Sequence, residues 1–289
     1  MKRGIAVLIL SVFALVSCFG QSPDIFRIEY MTMPRNASDV GITRVKVLGN
    51  LPLKGKSEHF FVVGFDYSGI SYDIGREVPF DDRALDALHI IDINVAYVYK
   101  WNADWRFIGV ITPRMASDFS VGWRNDNLNL NMTFGAFKDK KDVDKPYKFV
   151  IGLAFNSAAI VRIPLPVIFY EKEFHPNWTY TVGVPKTGLK HILKKKHWLQ
   201  AEAILDGHFV NIQNNIAIPG ANSASAASSI TILANLGYQY KFNKDFSVYS
   251  FFGRTLWQDG TLRDSNRSGV FALNKEPSFY FRTGFRIGI

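Results

Sequence analysis

The sequence predicts an all-β protein: a single transmembrane antiparallel β-barrel of about fourteen strands, preceded by a cleaved signal peptide. Three observations carry this. Long stretches alternate apolar and polar residues with period two, and aromatic residues reach 15%, which favours strands. No window shows sustained helical periodicity. Successive strand side chains point to opposite sides of a sheet, so such alternation gives one greasy face and one polar face.

The chain opens with Lys2 and Arg3, an apolar run over residues 5–16, and then small residues, which is the layout of an export signal. Cleavage after Gly20 removes residues 1–20 and leaves 21–289 as the barrel domain. Leu15-Val16-Ser17-Cys18 also resembles a lipobox, in which case Cys18 would be lipidated and retained. Cys18 is the sole cysteine, so cleavage after Gly20 leaves no disulfide, thiolate metal site or cysteine nucleophile. Past this segment no apolar run reaches the roughly 18 residues that a membrane helix needs. The net charge of +9 would suit nucleic acid, but the basic residues of this exported chain are scattered through strands and turns. A basic barrel wall, or contact with anionic outer-membrane lipid, is the expected meaning, with no nucleic-acid partner.

In order, strands are expected at residues 25–33, 41–53, 59–72, 87–101, 105–116, 126–137, 147–159, 166–171, 177–184, 188–194, 198–211, 229–242, 246–257 and 278–289. Those between 160 and 196 are short and Pro-rich, which makes twelve the alternative count. Pro113 and Pro164 signal irregular edges or bulges. The rows are clearest in the fourth strand, where Ile91, Ile93, Val95, Tyr97 and Tyr99 alternate with Asp92, Asn94, Ala96, Val98 and Lys100. The sixth sets Leu128, Leu130, Met132 and Phe134 against Asn127, Asn129, Asn131 and Thr133. The twelfth alternates from Ser229 to Lys241, broken only by Leu233. If both termini lie in the periplasm, the short polar turns, such as 102–104 and 243–245, fall on that side. Aromatics flank them: Trp101 and Trp105, Phe174 and Trp178, Phe242 and Phe246. The longest linkers, 73–86, 213–228 and 258–277, fall on the other side, and the small residues from Gly220 to Ser229 suggest a mobile external loop.

Strand number decides which face meets lipid. About eight strands enclose a space that side chains can fill, whereas about fourteen leave a wide lumen, so the apolar rows belong outside. In the closing strand Phe279, Phe281, Phe285, Ile287 and Ile289 are then lipid-facing. The same registers turn Arg27, Lys46, Lys100, Arg106, Arg282 and Arg286 inward as pore candidates, together with Arg44, Arg114, Lys148 and Lys241. Inward acids are Glu29, Asp66, Asp92, Glu202 and Asp206.

Two stretches carry a family likeness. These are the ending Phe281-Arg-Thr-Gly-Phe-Arg-Ile-Gly-Ile289, and Trp178-Thr-Tyr-Thr-Val-Gly-Val-Pro-Lys-Thr-Gly-Leu189 after the Phe174-His-Pro-Asn177 turn. With the signal and the strand rhythm, the chain resembles uncharacterised bacterial outer-membrane β-barrel proteins, a family described as a domain of unknown function. The likeness implies an outer-membrane location and a barrel inserted by the barrel-assembly machinery, and it supplies no catalytic residues. Ile289 departs from the usual terminal Phe.

Catalytic and cofactor chemistry find little support. Gly49 to Ser57 imitates a phosphate-binding loop but has five residues between its glycines where four are needed, and no helix follows. His59, His89, His175, His191, His197 and His208 show no metal-ligand spacing. His208, Asp206 and Glu202 share the inward face of one strand, as any polar lumen wall would arrange. No catalytic, metal or cofactor site is therefore expected, and no enzyme activity. Rings of inward basic residues favour anion passage. The expected function is a passive channel for small, anionic solutes. The alternative is a closed structural or binding barrel acting through its outer loops, with a membrane hydrolase the weakest reading.

Overall fold

The computed structural model describes residues 24–53, 58–156 and 163–288. The expected signal peptide and Cys18 lie outside the described residues, as do residues 54–57 and Ile289.

Among the described residues fifteen strands form one sheet, antiparallel but for one bridge between β11 and β5: β1 (Asp24–Met33), β2 (Val40–Leu53), β3 (His59–Ile74), β4 (Leu88–Lys100), β5 (Trp105–Ser117), β6 (Leu128–Lys140), β7 (Tyr147–Asn156), β8 (Leu165–His175), β9 (Trp178–Val184), β10 (Lys186–Leu193), β11 (His197–Ile216), β12 (Ala224–Lys241), β13 (Phe246–Arg263), β14 (Gly269–Asn274) and β15 (Phe279–Gly288). Each strand pairs with its sequence neighbour from β1 to β13, and β15 bridges β13 to β1. Fourteen strands thus close a barrel. The short β14 pairs only with the far end of β13, opposite Gly260 to Arg263.

The first and last described residues, Asp24 and Gly288, lie with the short turns at one end, here called the terminal end; the long connections lie at the loop end. The outer surface is apolar almost throughout. Ile28, Val45, Phe65, Val95, Ile111, Phe134, Leu153, Ile168, Leu236, Phe252 and Phe279 are all exposed. Isolated in water such a surface would be a large liability, but in a bilayer it is the surface that acyl chains require. Around the terminal end runs an outward belt of rings: His59 stacks on Tyr97 and Tyr99, Trp101 meets Phe107, Trp178 stacks on His191 at 4.1 Å, and His197 packs on Tyr240. Phe246 packs on Phe285 at 6.0 Å and continues the belt. Such rings, apolar in body and polar at the edge, favour the headgroup zone.

The strands differ greatly in length, and that shapes the interior. β8, β9 and β10 have 11, 7 and 8 residues, whereas β11, β12 and β13 have 20, 18 and 18. β11 pairs with β10 only as far as Ile204, opposite Lys186. Further along, β11 reaches β5, where Asn211 pairs in parallel with Ser117. The Asp118 amide donates to the Asn211 carbonyl at 3.2 Å, and the Gln213 amide to Asp118 Oδ1 at 3.0 Å. The Gln213 side chain then bonds the Val121 amide and the Gly122 carbonyl. β6–β10 are thereby left out, and the loop end contracts to a ring running β11, β12, β13, β15, β1, β2, β3, β4, β5. Nine strands enclose a space that side chains can fill. They do fill it: Met31, Met33, Val40, Ile42, Ile70, Tyr72, Leu88, Ile90, Val210, Leu233, Leu262 and Tyr280 form one buried cluster. Leu85, from a single helical turn in the β3–β4 connection, is fully buried within it. Leu233→Ala is expected to cost about 2–5 kcal/mol in urea unfolding, because it opens a cavity in a packed core. Leu236→Ala, on the lipid face of the same strand, leaves no enclosed cavity and should cost far less.

Several expectations change here. The mobile loop expected at 213–228 is mostly strand, since β11 runs to Ile216 and β12 starts at Ala224. Its small residues serve packing: Ala224, Ala226, Ala227 and Ser228 are buried. The linker expected at 258–277 likewise holds the end of β13 and all of β14. A turn between them is closed by Asp264, which accepts the amides of Asn266 and Ser268 and the side chain of Asn222. Those bonds, Asn222 first, hold the Asp264 carboxyl below the usual carboxylate range. β13 also carries a bulge at Leu256, where Ile232 opposes Trp257 but Leu233 opposes Thr255. Beside Pro113, the β4–β5 pairing runs from Asp92 with Arg114 straight to Val95 with Ile111.

Candidate functional site

The terminal half of the barrel keeps the full complement of strands and holds the lumen. Its inward face is polar and charged except along β3–β5, and most of its charges are paired. Arg27 Nε donates to Asp24 at 2.7 Å, and Lys46 Nζ lies 2.7 Å from Asp66. Arg114 donates to both oxygens of Asp92 at 2.7 and 2.6 Å. Two linkages cross the lumen. Arg44 on β2 donates to both carboxylate oxygens of Asp206 on β11, at 3.0 and 2.6 Å, and beside it Tyr72 on β3 bonds His208 Nε2 at 2.8 Å. Arg282 on β15 donates to Glu202 on β11 at 3.1 Å and lies 3.8 Å from Glu29. Tyr249 completes this group, its hydroxyl donating to Glu29 at 2.6 Å.

Glycine makes room for this network. A Cβ on Gly284 would stand 2.6 Å from the Tyr249 hydroxyl, and one on Gly237 would stand 2.2 Å from the Phe251 ring. Bare backbone at these inward positions lets both rings lie against the wall, where Phe251 receives the Arg282 guanidinium at 4.6 Å.

Of the sequence-derived pore candidates, Arg27, Lys46 and Arg282 sit in these pairs. Arg286 donates to Ser247 Oγ at 3.2 Å, with Asp24 at 4.0 Å. Lys100 and Arg106 sit opposite one another on β4 and β5, and Arg106 lies over Phe137 at 5.5 Å. Neither has an ion pair among the described residues. On the closing strand Phe279 and Phe281 are exposed on the outer surface, and Phe285 lies in the outer aromatic belt. Ile287 shares their parity.

One cavity stands out at the terminal end, about 160 Å³ in volume. Lys148, Lys186, Lys190, Lys241, Lys244 and Arg286 line it, against Asp24, Glu171, Glu202 and Asp245. Lys148, Lys241 and Arg286 carry the inward parity that the sequence predicts, whereas Lys186 and Lys190, in the short β10, are not among the basic residues it predicts to face inward. Likewise unpredicted is an apolar strip on the lumen side of β3–β5. Phe60 pairs with Val98 there and is 40% exposed, and Val62, Ala96, Ile108 and Val110 share its face. The signal was present: Ala96 and Val98 interrupt the otherwise polar row of β4. A third inward surface, on β6 and β7, carries Asn131 paired with Asn156, both buried. The amide group of Asn131 has no hydrogen-bond partner among the described residues.

Among the described residues no cluster of His, Cys, Asp or Glu could hold a metal ion. His208 Nε2 is bonded to the Tyr72 hydroxyl, and among the described residues it has no hydrogen bond to a serine. The phosphate-loop imitation begins in β2, where Gly49 to Leu53 are extended strand, and the rest lies outside the described residues.

The family described as Domain of unknown function (DUF6268) matches residues 79–288. The chain belongs to that family. No curated protein matches it. Among solved structures it is similar to a KdgM porin in complex with disordered oligogalacturonate, at 10% identity and a TM-score of 0.37, covering 91% of this chain and 99% of that one. A Pseudomonas aeruginosa FadL homologue matches at 10% identity and TM-score 0.43, covering 91% and 88%. LpxR from Salmonella typhimurium matches at 5% and 0.40, covering 91% and 100%. These likenesses are of barrel architecture alone, and what a member of the family does must be read from its own interior.

Proposed function

We propose that this family member is an outer-membrane channel for small anionic solutes, narrow because its outer half is stoppered. The termini and short turns then face the periplasm, and the cationic lumen opens there. The observation that carries this reading is the excess of basic side chains around the terminal cavity, six against four acids. Rings of such groups lower the barrier for anions and raise it for cations. The outer half is closed by buried side chains both in the nine-strand ring and beside it, where Val150, Ala154, Leu165, Val167 and Phe169 of β7 and β8 are buried, so the conductance is expected to be small.

In planar bilayers the purified protein is expected to give a small, anion-selective conductance. Lys100→Glu combined with Arg106→Glu should shift the reversal potential towards cation preference without loss of folding, because neither side chain neutralises a buried acid. Absence of any conductance would sink the channel reading. One observation favours a second reading, a closed binding barrel acting through its loop end: the outer half is a packed core, not a pore. Under that reading no variant conducts unless the core itself is disrupted, for example by Leu85→Ser with Leu233→Ser.

A further inference from the structure

We propose that Lys190, Lys241 and Arg286 form a binding site for a small multivalent oxyanion, built around the indole of Trp198 at the terminal end of the lumen. This rests on the channel reading only for the route by which the anion arrives. Trp198 lies on the inward parity of β11, between the neighbouring strands β10 and β12. Lys190 Nζ stands 4.9 Å from the centre of its ring and Lys241 Nζ 4.2 Å. Arg286, on β15, lines the same cavity. Two ammonium groups are therefore drawn to one indole, with a guanidinium close by.

Among the described residues neither Lys190 nor Lys241 makes an ion pair, and the nearest carboxylate to Arg286 is Asp24 at 4.0 Å. Of the four acids that share the cavity three have partners of their own, and Asp245, in the β12–β13 turn, is left to offset part of the Lys241 charge. Glu202 takes Lys186 and Arg282, Asp24 takes Arg27, and Glu171 accepts the Thr181 hydroxyl at 3.3 Å. A cation–π contact is a weak substitute for a carboxylate, so the three cations stay mutually repelling and underpaired. An anion carrying two or more charges relieves that repulsion, whereas a monovalent one relieves only part of it. The cavity, at about 160 Å³, is several times the ~30 Å³ share of one water molecule. It has room for a phosphate ester or a small polycarboxylate. Lys148 and Lys244 at its edges draw such ions in.

The test is calorimetric titration of the purified full-length barrel in detergent with pyrophosphate at fixed ionic strength, with chloride as the monovalent control. Saturable pyrophosphate binding is expected. Lys190→Gln and Lys241→Gln should each weaken it roughly ten- to a hundredfold, the usual weight of one charged hydrogen bond. Arg83→Gln, at the loop end, should leave it unchanged. Retained heat-modifiable gel mobility identifies the folded variants. Absence of saturable binding, or binding indifferent to both lysine substitutions, overturns the site. Phosphatidylglycerol added to the micelles should not displace pyrophosphate; displacement would overturn the assignment to a soluble anion in favour of a lipid headgroup. Binding to a barrel that does not conduct would keep the site and sink the channel, and anion-selective conductance without binding would do the reverse.

Discussion

Replacing Arg44 with leucine is expected to destabilise the barrel by up to about 3 kcal/mol, the cost of leaving a largely buried carboxylate without its partner. Its two bonds to Asp206 join β2 to β11 across the interior, and the side chains are only 11% and 23% exposed. Asp206→Leu should cost a comparable amount for the converse reason. The double variant, Arg44→Leu with Asp206→Leu, should recover most of the loss, because replacing a whole buried pair with apolar groups is often neutral or better. The apolar ring cluster, which includes Ile42 from β2 and Val210 from β11, gives those leucines surroundings of the same kind. Urea unfolding in phospholipid vesicles, followed by tryptophan fluorescence, measures all three. If the double variant loses as much as the two single ones together, Arg44 and Asp206 have separate roles, and the account of a neutralised pair beneath an apolar core fails.

Much of the wall was legible in the sequence because it is local. The outward rows through Val95, Phe134 and Leu236 alternate with polar residues, and the turns at 102–104 and 243–245 carry Asn and Asp between aromatic strand ends. Asn102 and Asn243 there accept the amides of the residues two and three positions on. The contracted ring was not legible, for two physical reasons. It depends on Asn211 meeting Ser117, a contact between distant parts of the chain that no local pattern encodes. It also replaces polar inward residues with apolar ones, so that Ile90 beside Ile91, and Ile232 beside Leu233, simply erase the alternation. The Leu233 break was therefore the visible edge of the buried core. The inward charges could be assigned to a face but not to their partners, since pairing Arg282 with Glu202 needs the curvature of the closed barrel. Trp198 was hidden likewise: its neighbours Leu199 and Ala201 mark the lipid row, but only closure brings Lys190 and Lys241 onto its ring.

A charge on the outer surface should be penalised by depth, and that gradient separates a spanning barrel from any soluble arrangement of the same strands. Leu236 is 71% exposed and lies five residues in from the terminal end of β12 at Lys241. At about 3.4 Å per residue and a tilt of roughly 45°, that is about 12 Å into an apolar band some 25 Å tall. Leu236→Arg therefore places a guanidinium near the middle of the lipid and should cost roughly 2–4 kcal/mol. Phe285, three residues from the end of β15 and packed against Phe246, lies nearer the rim. A long arginine can reach the headgroups from there, so Phe285→Arg should cost only about 1 kcal/mol. Arg286→Phe, one residue further along, points into the lumen and should alter anion selectivity more than folding. The measurement is reversible unfolding of each variant in vesicles of one lipid composition, repeated with a thinner bilayer, where the Leu236→Arg penalty should shrink most. Equal penalties at Leu236 and Phe285, insensitive to bilayer thickness, would mean that the apolar belt does not face acyl chains.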